Sequence, residues 1–155
     1  MADKKIKNEI SVDYQLIGIA SSLREYKLCY HLNLILGCDF RKLKDLFFGS
    51  TERTRTVQFS VFKAGEEEHL NKFIIFTNKS LGEVLLPEVS NFDYIVQVHG
   101  NYEAEDIDRL INEVRKLPEV MMTAVIPLKK IKSKERLIYE EERPSQRLIN
   151  TKRFK

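Results

Sequence analysis

The chain has 155 residues, 43% hydrophobic and 32% charged, which is enough for one continuous core and too short for two ordinary domains. This composition is that of a globular chain, and no apolar run approaches the roughly 18 residues that a spanning helix needs. The net charge of +3 is unevenly spread: residues 129–155 carry ten Lys or Arg against four Glu, a net +6, which leaves the first 128 residues at −3. Any nucleic-acid contact is therefore expected from that tail alone.

The first residues, Met1 to Glu9, are charged and have no apolar segment of signal-peptide length behind them, so a cytoplasmic chain is expected. Residues 1–12 lack periodicity and are expected to fray. Tyr14 to Ala20 is a short apolar run suited to a buried strand, and Ser22 with Glu25 has the spacing of a capping box. A helix is then predicted from Ser22 to Leu36, with Gly37 as the left-handed residue that ends it. Periodicity leaves one alternative, a single helix from Asp13 to Leu36.

Phe40 to Phe48 alternates weakly, as an edge strand or an irregular segment. Thr56–Phe62 and Lys72–Thr77 read as two strands of an antiparallel hairpin around the polar loop Ala64–His69. Three successive glutamates in that loop, Glu66 to Glu68, read as a solvated turn, since hard-metal loops space their ligands around a bend. Asn78-Lys79-Ser80 fits a glycosylation acceptor but, without a secretory context, reads as a turn.

The segment from Phe92 to Leu128 is the clearest. Phe92, Tyr94, Val96 and Val98 are assigned to one strand face, and Asp93, Ile95, Gln97 and His99 to the other. Asn101 is a candidate helix cap. Ile107, Leu110, Ile111, Val114 and Leu117 then gather into one helical stripe that has to bury against a sheet, and Pro118 stops the helix. Val120 to Ile126 returns as a strand that is apolar on both faces, hence expected in the sheet interior. Together these elements predict an α+β fold: a single, mostly antiparallel sheet with two helices on one face and an extra hairpin. Its domain runs over 13–128, and the basic tail 129–155 is expected to be partly disordered.

No catalytic set emerges. His31, His69 and His99 stand apart and have no metal-ligand partner at i+3 or i+4, and Cys29 and Cys38 lack CxxC spacing and read as reduced thiols. Neither an activity nor a cofactor nor a metal is expected. Asp93 interrupts an apolar strand, which suggests either an acceptor for backbone or tyrosine hydrogen bonds or a ligand-facing group. Glu88, after Pro87, carries the same two readings.

Leu86-Pro87-Glu88-Val89-Ser90-Asn91-Phe92-Asp93-Tyr94 resembles the pattern for which the IPExxxVDY family is named, with Leu86 in place of Ile and Phe92 in place of Val. The resemblance implies a short bacterial protein of the Bacteroidetes, brings no established activity, and marks Pro87, Glu88, Asp93 and Tyr94 as candidate binding residues. Residues 92–128 are also similar to the second half of ACT-type, ferredoxin-like effector-binding modules, which implies small-ligand binding and association through sheets or helices. The resulting expectation is a non-enzymatic domain that binds a small ligand or a protein partner, a second copy included. Its contact would be a sheet edge or the helix-free sheet face. The alternative is an RNA- or ribosome-associated protein whose contacts are Lys129, Lys130, Lys132, Lys134 and Arg136. Tyr139 and Phe154 would add stacking. No membrane partner is expected.

Overall fold

The computed structural model describes residues 14–49, 56–65 and 71–138. Along the chain these form β1 (Tyr14–Ser21), α1 (Glu25–Leu36), β2 (Arg41–Lys42), β3 (Leu46–Gly49), β4 (Thr56–Phe59), β5 (Val61–Ala64) and β6 (Lys72–Thr77). They continue as β7 (Lys79–Ser80), β8 (Glu83–Val84), β9 (Tyr94–His99), α2 (Ala104–Arg115) and β10 (Val120–Ile126). Short 3-10 turns cover Pro87–Val89, Leu128–Lys130 and Lys134–Leu137. The first apolar run is thus a strand followed by a helix, not one long helix. The acidic tip at residues 66–70, the N-terminal residues 1–13, and the tail from Tyr139 on lie outside the described residues.

One six-stranded sheet, in the order β10-β1-β9-β6-β5-β2, has every neighbouring pair antiparallel. Because β1 lies between β9 and β10, those two strands run the same way and α2 crosses from one to the other. β1 and β6 flank β9 in the same fashion, with α1 between them in sequence. Two split βαβ units therefore interlock.

Alternation along the strands sends side chains to two separate cores. Ile17, Ile19, Ile75, Tyr94, Val96 and Val98 face the helices, meeting Leu28 and Leu32 of α1 and Ile107, Leu110, Ile111 and Val114 of α2. The α2 stripe is the one read from the sequence, and burying each such side chain contributes about 2 kcal/mol. The opposite face is not open. Leu16, Ile74, Phe76 and Ile95 are covered by β3 and β4 (Leu46, Phe48, Val57, Phe59), by Leu85, Leu86 and Phe92, and by Ile131 and Leu137. The helix-free face is therefore covered and offers no partner surface, and residues 129–138, assigned to the tail from the sequence, are part of the packed domain.

Several local expectations change. β10 is not interior: it forms an edge of the sheet, with Met121 71%, Met122 40% and Val125 44% exposed. A strand apolar on both faces can satisfy that pattern by packing under a helix on one side and against turns on the other, without a neighbour on each edge. β9 starts at Tyr94, so Phe92 precedes it and joins the core opposite to Tyr94 and Val96.

The predicted capping box at Ser22 and Glu25 does not form. α1 begins three residues after Ser22, with Arg24 as its uncapped N-cap, because β1 runs on through Ser21. α2 is likewise capped by Glu103 and Asp106, which bond reciprocally to each other's backbone region, and not by Asn101. Gly37 does end α1 in the left-handed conformation at φ 65°. The 56–77 hairpin is broken at Ser60. Only β5 pairs with β6, whereas β4 leaves the sheet to pair with β3. Thr77 holds this bend, its hydroxyl accepting from the Ser60 amide at 2.8 Å and its amide donating to the Ser60 carbonyl at 3.0 Å. Lys79–Ser80 belongs to a second hairpin with β8, turned by Leu81 and Gly82 at φ 50° and 84°.

Candidate functional site: the 86–94 segment and the sheet edge at β10

The residues picked out by the family pattern lie along one segment, and each has a partner within the chain. Pro87 opens the first 3-10 turn, where its missing amide donor costs nothing. The Glu88 carboxylate receives the Lys132 and Ser133 amides at 3.0 and 3.2 Å and the Ser133 hydroxyl at 2.8 Å, fastening the 128–138 segment across the sheet. Asp93 accepts from the Ser21 amide at 2.8 Å and pairs with the Lys79 ammonium at 3.3 Å. The Tyr94 hydroxyl, buried on the helix side, donates to the Leu23 carbonyl at 2.5 Å. Of the two readings given to Asp93, the geometry is that of a backbone acceptor at the strand start, with Ser21 as donor.

Ser21 links the same turn further. Its hydroxyl accepts the Leu23 amide at 3.0 Å and donates to the Glu119 carbonyl at 2.8 Å. Asn78, which the sequence marks only as part of a turn, does the equivalent work on the other side. Its side chain donates to the Val89 and Phe92 carbonyls at 3.1 and 2.9 Å and accepts the Leu86 amide at 2.9 Å.

Partial desolvation pushes the Glu88 carboxyl upward, but hydrogen bonds from its own amide, from Ser133 and from Lys132 outweigh it, leaving the group below its ordinary value. A carboxyl lowered by folding adds stability above the ordinary glutamate range and loses it as pH falls through the folded value. Glu88→Gln is therefore expected to be less stable than the parent at neutral pH, with the gap closing in acid. Denaturant titrations at several pH values check this, and a gap that widens in acid refutes it.

The thiols are poor nucleophiles at neutral pH. Burial, with Glu25 and Cys38 nearby, pushes Cys29 up to about 12, and burial with Asp39 pushes Cys38 up to about 11. His31 stacks edge-on with Tyr30, and a ring nitrogen of His99 lies 2.8 Å from the Gln97 amide oxygen. Among the described residues no three His, Cys, Asp or Glu side chains form a cluster that could hold a metal.

The five basic candidates divide. Arg136 donates to the Leu85 carbonyl at 2.7 Å and lies over the Phe48 ring, and Lys134 donates to the Leu128 carbonyl at 3.4 Å. Lys129, Lys130 and Lys132 keep exposed side chains.

The sheet's two edges are built differently. β2 offers only two residues, Arg41 and Lys42, both exposed and charged, the usual protection of an edge. β10 offers seven residues without a charge, among them the exposed Met121, Met122 and Val125. Midway along it the Thr123 carbonyl accepts from Arg115 Nη2 at 3.2 Å, a side-chain donor from α2 standing where a strand's amide would be. A separate apolar strip, Tyr26, Tyr30 and Leu34, lies exposed along α1 at four-residue spacing.

No family model matches the chain, and no curated protein matches it. Among the described residues no helix is long and apolar enough to cross a membrane.

Proposed function

We propose that the protein is a protein-interaction domain without catalytic chemistry of its own, acting in the cytoplasm, and that its contact is the edge at β10, which no strand covers among the described residues. The difference between the two sheet edges carries this reading. An edge strand of seven uncharged residues presents a row of backbone donors and acceptors that another extended strand completes. The strand order β10-β1-β9-β6, that of ferredoxin-like modules, supports the comparison with domains that associate through their sheets.

Membership of the IPExxxVDY family belongs to the same proposal. The hydrogen bonds of Glu88, Asp93 and Tyr94 favour a role for that pattern in holding the fold, which leaves these groups little capacity for a small ligand. The second reading, RNA binding, rests on the three exposed lysines Lys129, Lys130 and Lys132.

The test uses the full chain as bait, with Met122→Lys/Val125→Lys as the edge-blocked variant. Wild type is expected to retain a protein partner, its own untagged copy included, that the variant loses. Equal retention by both removes the edge reading. Retention of RNA that is lost with added salt and with Lys129, Lys130 and Lys132 changed to Ala supports the second reading instead.

A further inference from the structure

We propose that β10 pairs antiparallel with β10 of a second copy of this chain, about a two-fold axis at Thr123, and that Arg115 is the side chain that leaves the edge when it does so. This rests on the interaction reading above and names its partner.

A strand pairing with its own copy has to complement its own reverse. Val120–Ile126 carries no charge, so no like-charged pair arises within it. In a register centred on Thr123, Met122 faces Ala124 of the second copy, a long side chain against a small one, and Met121 faces Val125. The exposed members of these pairs are the large apolar side chains that the isolated chain leaves in water.

The ends of the strand select the antiparallel direction. Exposed Glu119 precedes β10, while exposed Lys129 and Lys130 follow it. Antiparallel pairing brings the acidic end of each strand beside the basic end of the other, twice by symmetry, whereas parallel pairing sets like beside like.

The backbone supplies the centre. In an antiparallel ladder a residue turns its amide and carbonyl to the same side. Ile19, the β1 residue opposite Thr123, turns its carbonyl to the Asp93 amide on the β9 side, so Thr123 points both its groups away from β1; its carbonyl is held by Arg115, which has to leave before that group can exchange with the copy's amide. Arg115 then competes with dimer formation, and two such guanidinium groups near the axis repel one another.

Sedimentation of the full chain over a range of concentrations tests the association, and cysteine cross-linking in a Cys38→Ser background tests the register. A concentration-dependent monomer–dimer equilibrium is expected, abolished by Met122→Lys/Val125→Lys. Arg115→Ala is expected to tighten it by about tenfold to a hundredfold, the effect of removing one competing hydrogen bond from each of the two copies, a gain that misfolding does not produce. Met122→Cys mixed with Ala124→Cys should cross-link, and neither should cross-link alone. Monomer at all concentrations overturns the proposal, as does a dimer that survives the lysine pair but is lost in Tyr30→Lys/Leu34→Lys, which places the contact on α1. If the chain stays monomeric while the lysine pair still loses a captured protein, the interaction reading stands and only the second copy is wrong.

Discussion

Asn78→Ala is expected to destabilise the protein by roughly 3 kcal/mol, on the order of 10 °C in thermal midpoint. Asn78 is fully buried at 0% exposure, and its amide is the partner of three backbone groups, the Leu86 N–H and the Val89 and Phe92 carbonyls. Its own backbone adds two more bonds, its amide to the Asp93 carbonyl and its carbonyl from the Leu85 amide. These hold the 85–93 segment against the sheet, and with it Leu85, Leu86 and Phe92 of the core. Alanine keeps the backbone bonds but strands the three partners away from water, each at a cost of about 1–3 kcal/mol, reduced where the segment shifts to admit solvent.

Asn78→Asp separates this account from a simple loss of packing. It preserves the shape and the acceptor for Leu86 but places a carboxylate opposite two carbonyl oxygens in a buried site. Folding should then raise the carboxyl above its ordinary range, so stability is retained in acid and lost as pH rises through the folded value. A deficit for Asn78→Asp that is flat across pH, or an Asn78→Ala midpoint within 2 °C of the parent, contradicts the assignment.

Asn78 also shows where reading the sequence stops. Its neighbours suggested a turn, and a turn does follow, but its three side-chain partners lie 8 to 14 residues away and no local pattern announces them. The misplaced cap has the same origin. Ser22 had the right spacing, yet Ser21 is drawn into β1 by Asp93 and Glu119, 72 and 98 residues distant, and the helix starts later. The α2 stripe, governed by its period, was legible, and so was Gly37 as the end of α1; the apolar run before α1 fitted strand or helix alike, and its pairing with β9 and β10 decides it.

Sheet order was not legible. A strand apolar on both faces reads alike in the middle of a sheet and at an edge tucked beneath a helix, so the position of β10 depended on pairings made elsewhere in the chain. The edge site followed the same rule. Val120 to Ile126 reads as interior from its apolar pattern, and nothing local marks Arg115; only the fold brings Arg115 to the edge beside Met121, Met122 and Val125.

The glycine inside the apolar run of β1 is a signal of close backbone approach. A Cβ built on Gly18 falls 2.5 to 2.7 Å from three atoms of the Phe92 ring, inside any real contact distance. The ring packs against the bare backbone of Gly18, and this close approach is what lets the 86–93 segment cross the sheet at that level. At an unconstrained site Gly→Ala stabilises by about 0.4–1 kcal/mol through the unfolded state. Here the sign should reverse, with Gly18→Ala losing roughly 2 kcal/mol to overpacking, because the ring is buried and has little room to withdraw. If the ring is the cause, shrinking it should relieve the clash. Phe92→Leu alone costs about 1 kcal/mol in lost burial, but the double variant Gly18→Ala/Phe92→Leu should be more stable than the two single losses predict by about 1–2 kcal/mol. Chemical denaturation of the four proteins measures that coupling, and strict additivity would show that Gly18 is required for some reason other than the ring above it.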